Sequence, residues 1–172
     1  MILSRLVFRA HHPRWAFAPG SGTGAAVHGG RYNPPGRPTL YTSLRVETAW
    51  LEAQQAFPFK AQPMTMCAYD VNCADILDLT DPRARETLRI PADHLACAWE
   101  ELAIQGIRPP SWTLAERLIA MDTAGILVPS RASGATEADV NAVFWRWSHD
   151  PPHQVRAVDD FNRLPTDDRS WQ

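Results

Sequence analysis

A chain of 172 residues, 45% hydrophobic and 21% charged, has the composition of one globular domain with a real core, and excludes wholesale disorder. Its net charge of −2 excludes a dedicated nucleic-acid binder, which needs a basic face to neutralise phosphates. Seven tryptophans and fifteen prolines indicate a compact, loop-rich body, with no repeat or linker to divide residues 1–172.

The first element is a strand in "LSRLVFRA", Leu3 to Ala10, with Arg9 near its end. From His11 to Pro38 no period survives and Gly, Pro and Ser punctuate the chain, the mark of a long functional loop. A short strand, "TLYTS", leads into a helix whose apolar positions Val46, Ala49, Trp50, Ala53 and Phe57 share one face, with Ser43 as its N-cap. "MTMCAYDV" alternates as a strand that "DILDL" extends or partners, and Asp81-Pro82 turns the chain. A helix is expected from Asp93 to Gly106 and another from a capping box at Thr113 and Glu116. "GILVPS" reads as a buried strand, and "NAVFWRW" and "HQVRAVDDF" as late strands. Strands and helices mix without regular βαβ alternation, so the fold class is α+β.

Several familiar chemistries fail on spacing. "GSGTGA", Gly20 to Ala25, has the letters of a dinucleotide fingerprint, but neither a strand before it nor a helix after it is evident, and it reads as loop. The histidines show no paired metal-ligand spacing, so no metal is expected, and no G-x-S-x-G marks a hydrolase. Cys67, Cys73 and Cys97 are odd in number and lack a C-x-x-C pair, which favours free thiols in a reducing compartment. "MILSRLVFRAHHP" has no apolar h-region and no segment approaches ~18 apolar residues. A cytoplasmic protein without a membrane partner is expected.

What remains is a polar set around "GGRYNPPG", Gly29 to Gly36. Glycine admits unusual backbone and proline fixes φ, so this loop is stiff. A stiff loop holds the planar fork of Arg31 in one place, where it suits phosphate or carboxylate. Tyr41 and Ser43 alternate on the short strand and point to one side. Glu52 and Glu47 lie on opposite flanks of the following helix, and periodicity does not choose between them.

The stretch from Gly29 to Glu52, "GGRYNPPGRPTLYTSLRVETAWLE", resembles the signature of RES-domain toxins, the NAD⁺-degrading partners of RES–Xre toxin–antitoxin pairs. The matching positions are Gly29, Gly30, Arg31, Tyr32, Asn33, Gly36, Tyr41, Ser43, Ala49 and Glu52. Arg9, Ser130, Asn141, the "PPH" ending in His153, and Arg163-Leu164 extend the likeness along the chain. Two departures stand out: Tyr32 replaces a common Trp, and "NAVFWRWSHDPPH" is spaced unlike the family's N-x-x-x-N-P-x-H, which leaves His153 without an assigned role.

The resemblance implies one RES domain over residues 1–172, with an ADP-ribosyltransferase-like fold of split β-sheets and flanking helices. It implies a bacterial toxin that cleaves the nicotinamide–ribose bond of NAD⁺ as a glycohydrolase or phosphorylase. The alternatives are an ADP-ribosyltransferase acting on a protein and an inactive interaction module. Cleavage passes through an oxocarbenium-like state, which a carboxylate stabilises; Glu52 takes that role, with Arg31 and Tyr41 as the other catalytic residues. Arg9, Tyr32, Asn33, Ser43 and Ser130 are the expected NAD⁺-binding positions. NAD⁺ is substrate rather than cofactor. The implied partner is an Xre-like antitoxin that itself touches DNA, with a homodimer of this chain allowed inside the complex.

Overall fold

A computed structural model describes residues 1–54 and 62–169. Seven strands form one sheet in the order β4-β5-β6-β2-β1-β3-β7. They are β1 (Leu3–His11), β2 (Leu40–Ser43), β3 (Thr65–Cys73), β4 (Ile76–Asp78), β5 (Gly125–Pro129), β6 (Val140–Phe144) and β7 (His153–Ala157). Every pairing is antiparallel except β4 with β5. The helices are α1 (Thr23–His28), α2 (Val46–Gln54), α3 (Pro82–Thr87), α4 (Ala92–Ala96), α5 (Trp99–Ile104) and α6 (Pro110–Ala120). The α+β expectation holds.

The sheet has a seam at its centre. β1 pairs with β3 along its whole length, from Leu3 opposite Cys73 to His11 opposite Thr65. β2 pairs with β6 over four residues, Leu40 with Phe144 through Ser43 with Asn141. Between β1 and β2 the only register is Phe8 with Ser43. The expected split sheets are thus two halves, β4-β5-β6-β2 and β1-β3-β7, whose central strands meet at that one pair, while Met1 and Ile76 exchange hydrogen bonds at 2.8 and 3.0 Å at the β4 edge. Backbone beyond the Phe8–Ser43 pair diverges, and a cleft opens along the seam.

Two cores support the sheet. Along β5 and β6, Leu127 and Phe144 enter one with Val7, Tyr69 and Val71, while Ile126, Val128 and Val143 enter the other with Leu95, Leu114 and Leu118. Alternation along a strand sends successive side chains to opposite faces, which is why "GILV" reads as a continuous apolar run. Each fully buried aliphatic or phenyl side chain contributes about 1.5–3 kcal/mol.

Several local expectations are corrected. β4 neither extends nor partners β3; it crosses to the far edge and lies parallel to β5. The helix expected from Asp93 to Gly106 is broken into α4 and α5 at Cys97–Ala98, where Cys97 has ψ 150. Gly106 follows the second piece with φ 72. Thr113 caps nothing: α6 begins at Pro110, with Pro109 at its N-cap, because proline suits the first helical turn. Asp81-Pro82 does more than turn the chain, since the Asp81 carboxylate accepts from Arg83 N–H and caps α3. In α2 the buried residues are Thr48 and Ala49, while Val46 and Trp50 stand 42% and 40% exposed. Phe57 lies outside the described residues.

Candidate active site

The loop from Gly29 to Gly36 is as stiff as its composition implies, and side chains from elsewhere fix it. Gly30 and Asn33 exchange backbone hydrogen bonds at 3.0 and 3.3 Å. Asn33 is fully buried, and its Nδ2 donates to the carbonyls of Ala25, Pro34 and Arg37 at 2.8, 3.0 and 3.1 Å. Its Oδ1 accepts the Tyr41 hydroxyl proton at 2.7 Å, and the same hydroxyl accepts from Tyr32 N–H at 2.9 Å. Trp112 Nε1 donates to Gly30 O, and Trp145 Nε1 to Tyr32 O. Gly29 ends α1 at φ 74, which favours glycine. A Cβ on Gly30 would stand 2.6 Å from the Tyr41 hydroxyl oxygen, so no side chain fits there without moving the staple.

This network fixes where each loop residue sits. Tyr32 is 3% exposed and belongs to the second core; its hydroxyl donates to Leu95 O at 3.2 Å. Asn33 and the Tyr41 hydroxyl are committed to the loop, while Tyr41 still walls the cleft. Burial pushes both tyrosine phenols upward, which keeps them neutral. Arg31 is half-buried between these anchors, with Nη1 donating to Cys97 O at 2.6 Å. The break between α4 and α5 presents that carbonyl.

Glu52 is placed by a match between two periods. Thr48 Oγ1 donates to Asp139 Oδ1 at 2.5 Å, and Asn141 Nδ2 donates to Glu52 Oε1 at 2.5 Å. Four helical residues rise about 6 Å and two strand residues about 6.6 Å, so positions i and i+4 of α2 meet two same-face positions at the head of β6. Ser130, just past β5, donates to the same Glu52 oxygen at 2.6 Å and accepts Ala132 N–H at 3.2 Å. Ser43 Oγ donates to Asn141 Oδ1 at 2.7 Å, so Ser43 orients Asn141 rather than capping α2. Glu47 faces solvent, 69% exposed at its side chain, against Arg45 at 3.5 Å. The choice that periodicity left open falls to Glu52 as the carboxylate of the cleft.

Asp139 anchors this arrangement. Hydrogen bonds from Thr48, then from the Thr136 amide and hydroxyl, hold its carboxyl low, at about 2.

The residues converge on one cleft. A cavity of about 450 Å³ is lined by Arg9, Arg31, Tyr32, Tyr41, Glu52 and Asn141. His28, Trp99 and Arg131 also line it; no local motif marked them, since the end of α1, the start of α5 and the loop after β5 bring them in. A smaller cavity of about 240 Å³ lies at the seam and shares Arg9, Tyr41, Glu52 and Asn141, with Ser43 in its wall. Arg9 Nη1 donates to the carbonyls of Pro19 and Ser21 at 3.1 and 2.9 Å. His153 is elsewhere, with Nε2 3.0 Å from Asp75. "GSGTGA" is no dinucleotide turn: Gly22 caps the short α1, and a Cβ there would stand 2.7 Å from Thr39 N and Trp147. Among the described residues no group of three His, Cys, Asp or Glu is placed to hold a metal, and no helix is long and apolar enough to cross a membrane.

An α+β protein with a split sheet, three arginines and a hydrogen-bonded carboxylate in the split is the class these features define. The chain belongs to the RES domain family, whose model matches residues 6–167. It is 32% identical over 120 residues to the NAD(+) phosphorylase MbcT of Mycobacterium bovis and of Mycobacterium tuberculosis, a match covering 64% of this chain and 60% of the relative. It also resembles a chain in the crystal structure of the M. tuberculosis MbcT–MbcA toxin–antitoxin complex. That likeness has TM-score 0.62 and 22% identity, and covers 92% of this chain and 84% of the other.

Proposed function

We propose that this chain is a toxin that destroys NAD⁺ by breaking the nicotinamide–ribose bond and passing the ribosyl carbon to inorganic phosphate. The observation that carries the proposal is the Glu52 carboxylate, held by Ser130 and Asn141 in the same cleft as Arg31 and Arg9. The C–N bond breaks with its electron pair moving to the nicotinamide nitrogen. The leaving group departs neutral, so a strong general acid is not required. Positive charge develops on the ribose, and Glu52, fixed beforehand by two donors, stabilises it without reorganising. A phosphate oxygen then supplies the pair for the new C–O bond, giving nicotinamide and ADP-ribose phosphorylated at its anomeric carbon.

Arg31 and Arg9 grip the substrate diphosphate through charge-assisted hydrogen bonds worth about 1.5–3 kcal/mol each. Tyr41 and Trp99 offer walls to the nicotinamide end, while Asn33 and Tyr32 act through the loop they hold. Phosphate is preferred to water as acceptor because the similar MbcT proteins are named NAD(+) phosphorylases. Purified protein incubated with NAD⁺, with and without phosphate, tests this. Phosphate-dependent nicotinamide release with a phosphorylated ADP-ribose product is expected; free ADP-ribose at an undiminished rate without phosphate would replace phosphorolysis by hydrolysis.

Such an enzyme in the cytoplasm needs a tight inhibitor, and the similar fold occurs in a toxin–antitoxin complex. An Xre-like antitoxin is the proposed partner, covering the cleft with a carboxylate-bearing segment on the Arg31 fork, within an assembly that admits a homodimer of this chain. Co-expression with the neighbouring gene product should rescue growth. Rescue by a complex that still turns over NAD⁺ at full rate would rule out occlusion.

A further inference from the structure

A third cavity, about 570 Å³, is larger than either part of the cleft. It lies in the range of small-molecule sites, which are mostly apolar with a few polar groups. Trp15, Phe17, Pro19 and Val27 form its apolar walls. Trp15 is 53% exposed and Val27 61%, apolar surface left open at the cavity. The Trp15 and Phe17 rings are 6.3 Å apart and inclined by 41°. Arg14 lies over Trp15 at 5.3 Å. The Ser21 and Thr23 hydroxyls, 2.8 Å apart, add a polar edge.

The cavity adjoins the cleft. Arg9, Gly24 and His28 line both. Gly24 and His28 are one turn apart on α1, so that helix forms the sill between the two spaces. Gly24 leaves the sill low, since a Cβ there would meet nothing within 4 Å. Glu52 lines the cleft and the seam cavity but not this third space.

Resting on the reading of NAD⁺ as substrate, we infer that this cavity is the adenylate subsite, which takes the adenine against Trp15. With the reacting ribose at Glu52, the diphosphate passes Arg9 at the sill and the second base falls beyond α1. A flat, sequence-insensitive aromatic wall suits a purine face. The long, irregular segment before α1 then serves to hold the half of the substrate that does not react, and binding energy from that half is available to orient the half that does.

The test uses the full chain and AMP as probe, with calorimetric affinities for wild type, Trp15→Ala and Trp99→Ala. AMP should bind wild type, and Trp15→Ala should weaken it by about tenfold or more, the usual effect of removing one stacking ring. Trp99→Ala, on the cleft side of the sill, should change it less than about twofold. In parallel, the kcat/KM preference for NAD⁺ over nicotinamide mononucleotide, which lacks the adenylate, should fall about tenfold in Trp15→Ala. AMP affinity lost through Trp99 instead of Trp15 overturns the assignment, as does NAD⁺ turnover with no preference over the mononucleotide. Trp15-dependent AMP binding without any NAD⁺ turnover would support the adenylate site and refute the proposed reaction.

Discussion

Replacing Glu52 by Gln is the sharpest perturbation of the proposed mechanism, because shape is kept and charge is removed. The glutamine oxygen still accepts from Ser130 Oγ and Asn141 Nδ2, the two donors that fix Glu52 Oε1 at 2.6 and 2.5 Å, so packing and position should persist. What is lost is the negative charge facing the ribose cation. Removing one preorganised electrostatic group costs about 10²–10³ in kcat, or about 2.7–4 kcal/mol of transition-state stabilisation. The expected outcome is that drop in the rate of nicotinamide release, with an unchanged thermal midpoint and little change in KM. Glu47→Gln is the control. It lies on the same helix, but its side chain is 69% exposed and pairs with Arg45 at 3.5 Å, a surface contact of at most about 1 kcal/mol, so its rate should stay near wild type. Equal losses in the two variants, or full activity in Glu52→Gln, would refute charge stabilisation by Glu52.

Arg31→Lys should lose much of the NAD⁺ turnover although the charge remains, since an ammonium does not reproduce the planar fork; a wild-type kcat/KM would end the diphosphate assignment. Tyr41→Phe removes the hydroxyl that serves both Asn33 Oδ1 and Tyr32 N–H. Each of the two polar groups so orphaned costs about 1–3 kcal/mol, and urea unfolding should show a loss of about 2–6 kcal/mol, whereas an unaltered midpoint would mean that the staple does not hold the loop. Asp139 titrates at about 2 in the folded protein against an ordinary 3.8, so its contribution is complete above about pH 4 and lost as pH falls toward 2. Asp139→Asn should therefore flatten that acid limb of stability, and an identical limb would show that other carboxylates set it.

Much of this protein was legible in its sequence, for reasons that are local. Gly29 and Gly30 admit backbone that other residues avoid, and the prolines after Asn33 fix φ, whatever surrounds them, so the stiff loop carrying Arg31 followed from residue chemistry alone. Alternation in "MTMCAYDV" and the apolar run "GILV" reflect side-chain period, which survives any tertiary arrangement, and the irregular order of elements gave α+β. The spaced pattern from Gly29 to Glu52 carried the family resemblance.

Tertiary structure decided whatever depended on partners distant in the chain. The apolar stripe of α2 did not distinguish Glu52 from Glu47, because the face it buries is set by a Thr48–Asp139 bond 91 residues apart and an Asn141 bond 89 residues apart. Ser43 had the composition of a cap, yet its register opposite Asn141 gave its hydroxyl a different acceptor. Tyr41 and Asn33 looked like ligand contacts in a linear motif; only the folded loop revealed that the Tyr41 hydroxyl and the Asn33 amide satisfy each other. The strand β4 chose the far edge because its parallel partner β5 lies some fifty residues later in the chain, a distance across which no local period carries information. Local chemistry and the family pattern named the candidate residues, and long-range strand pairing brought Arg9, Arg31, Tyr41 and Glu52 to one cleft.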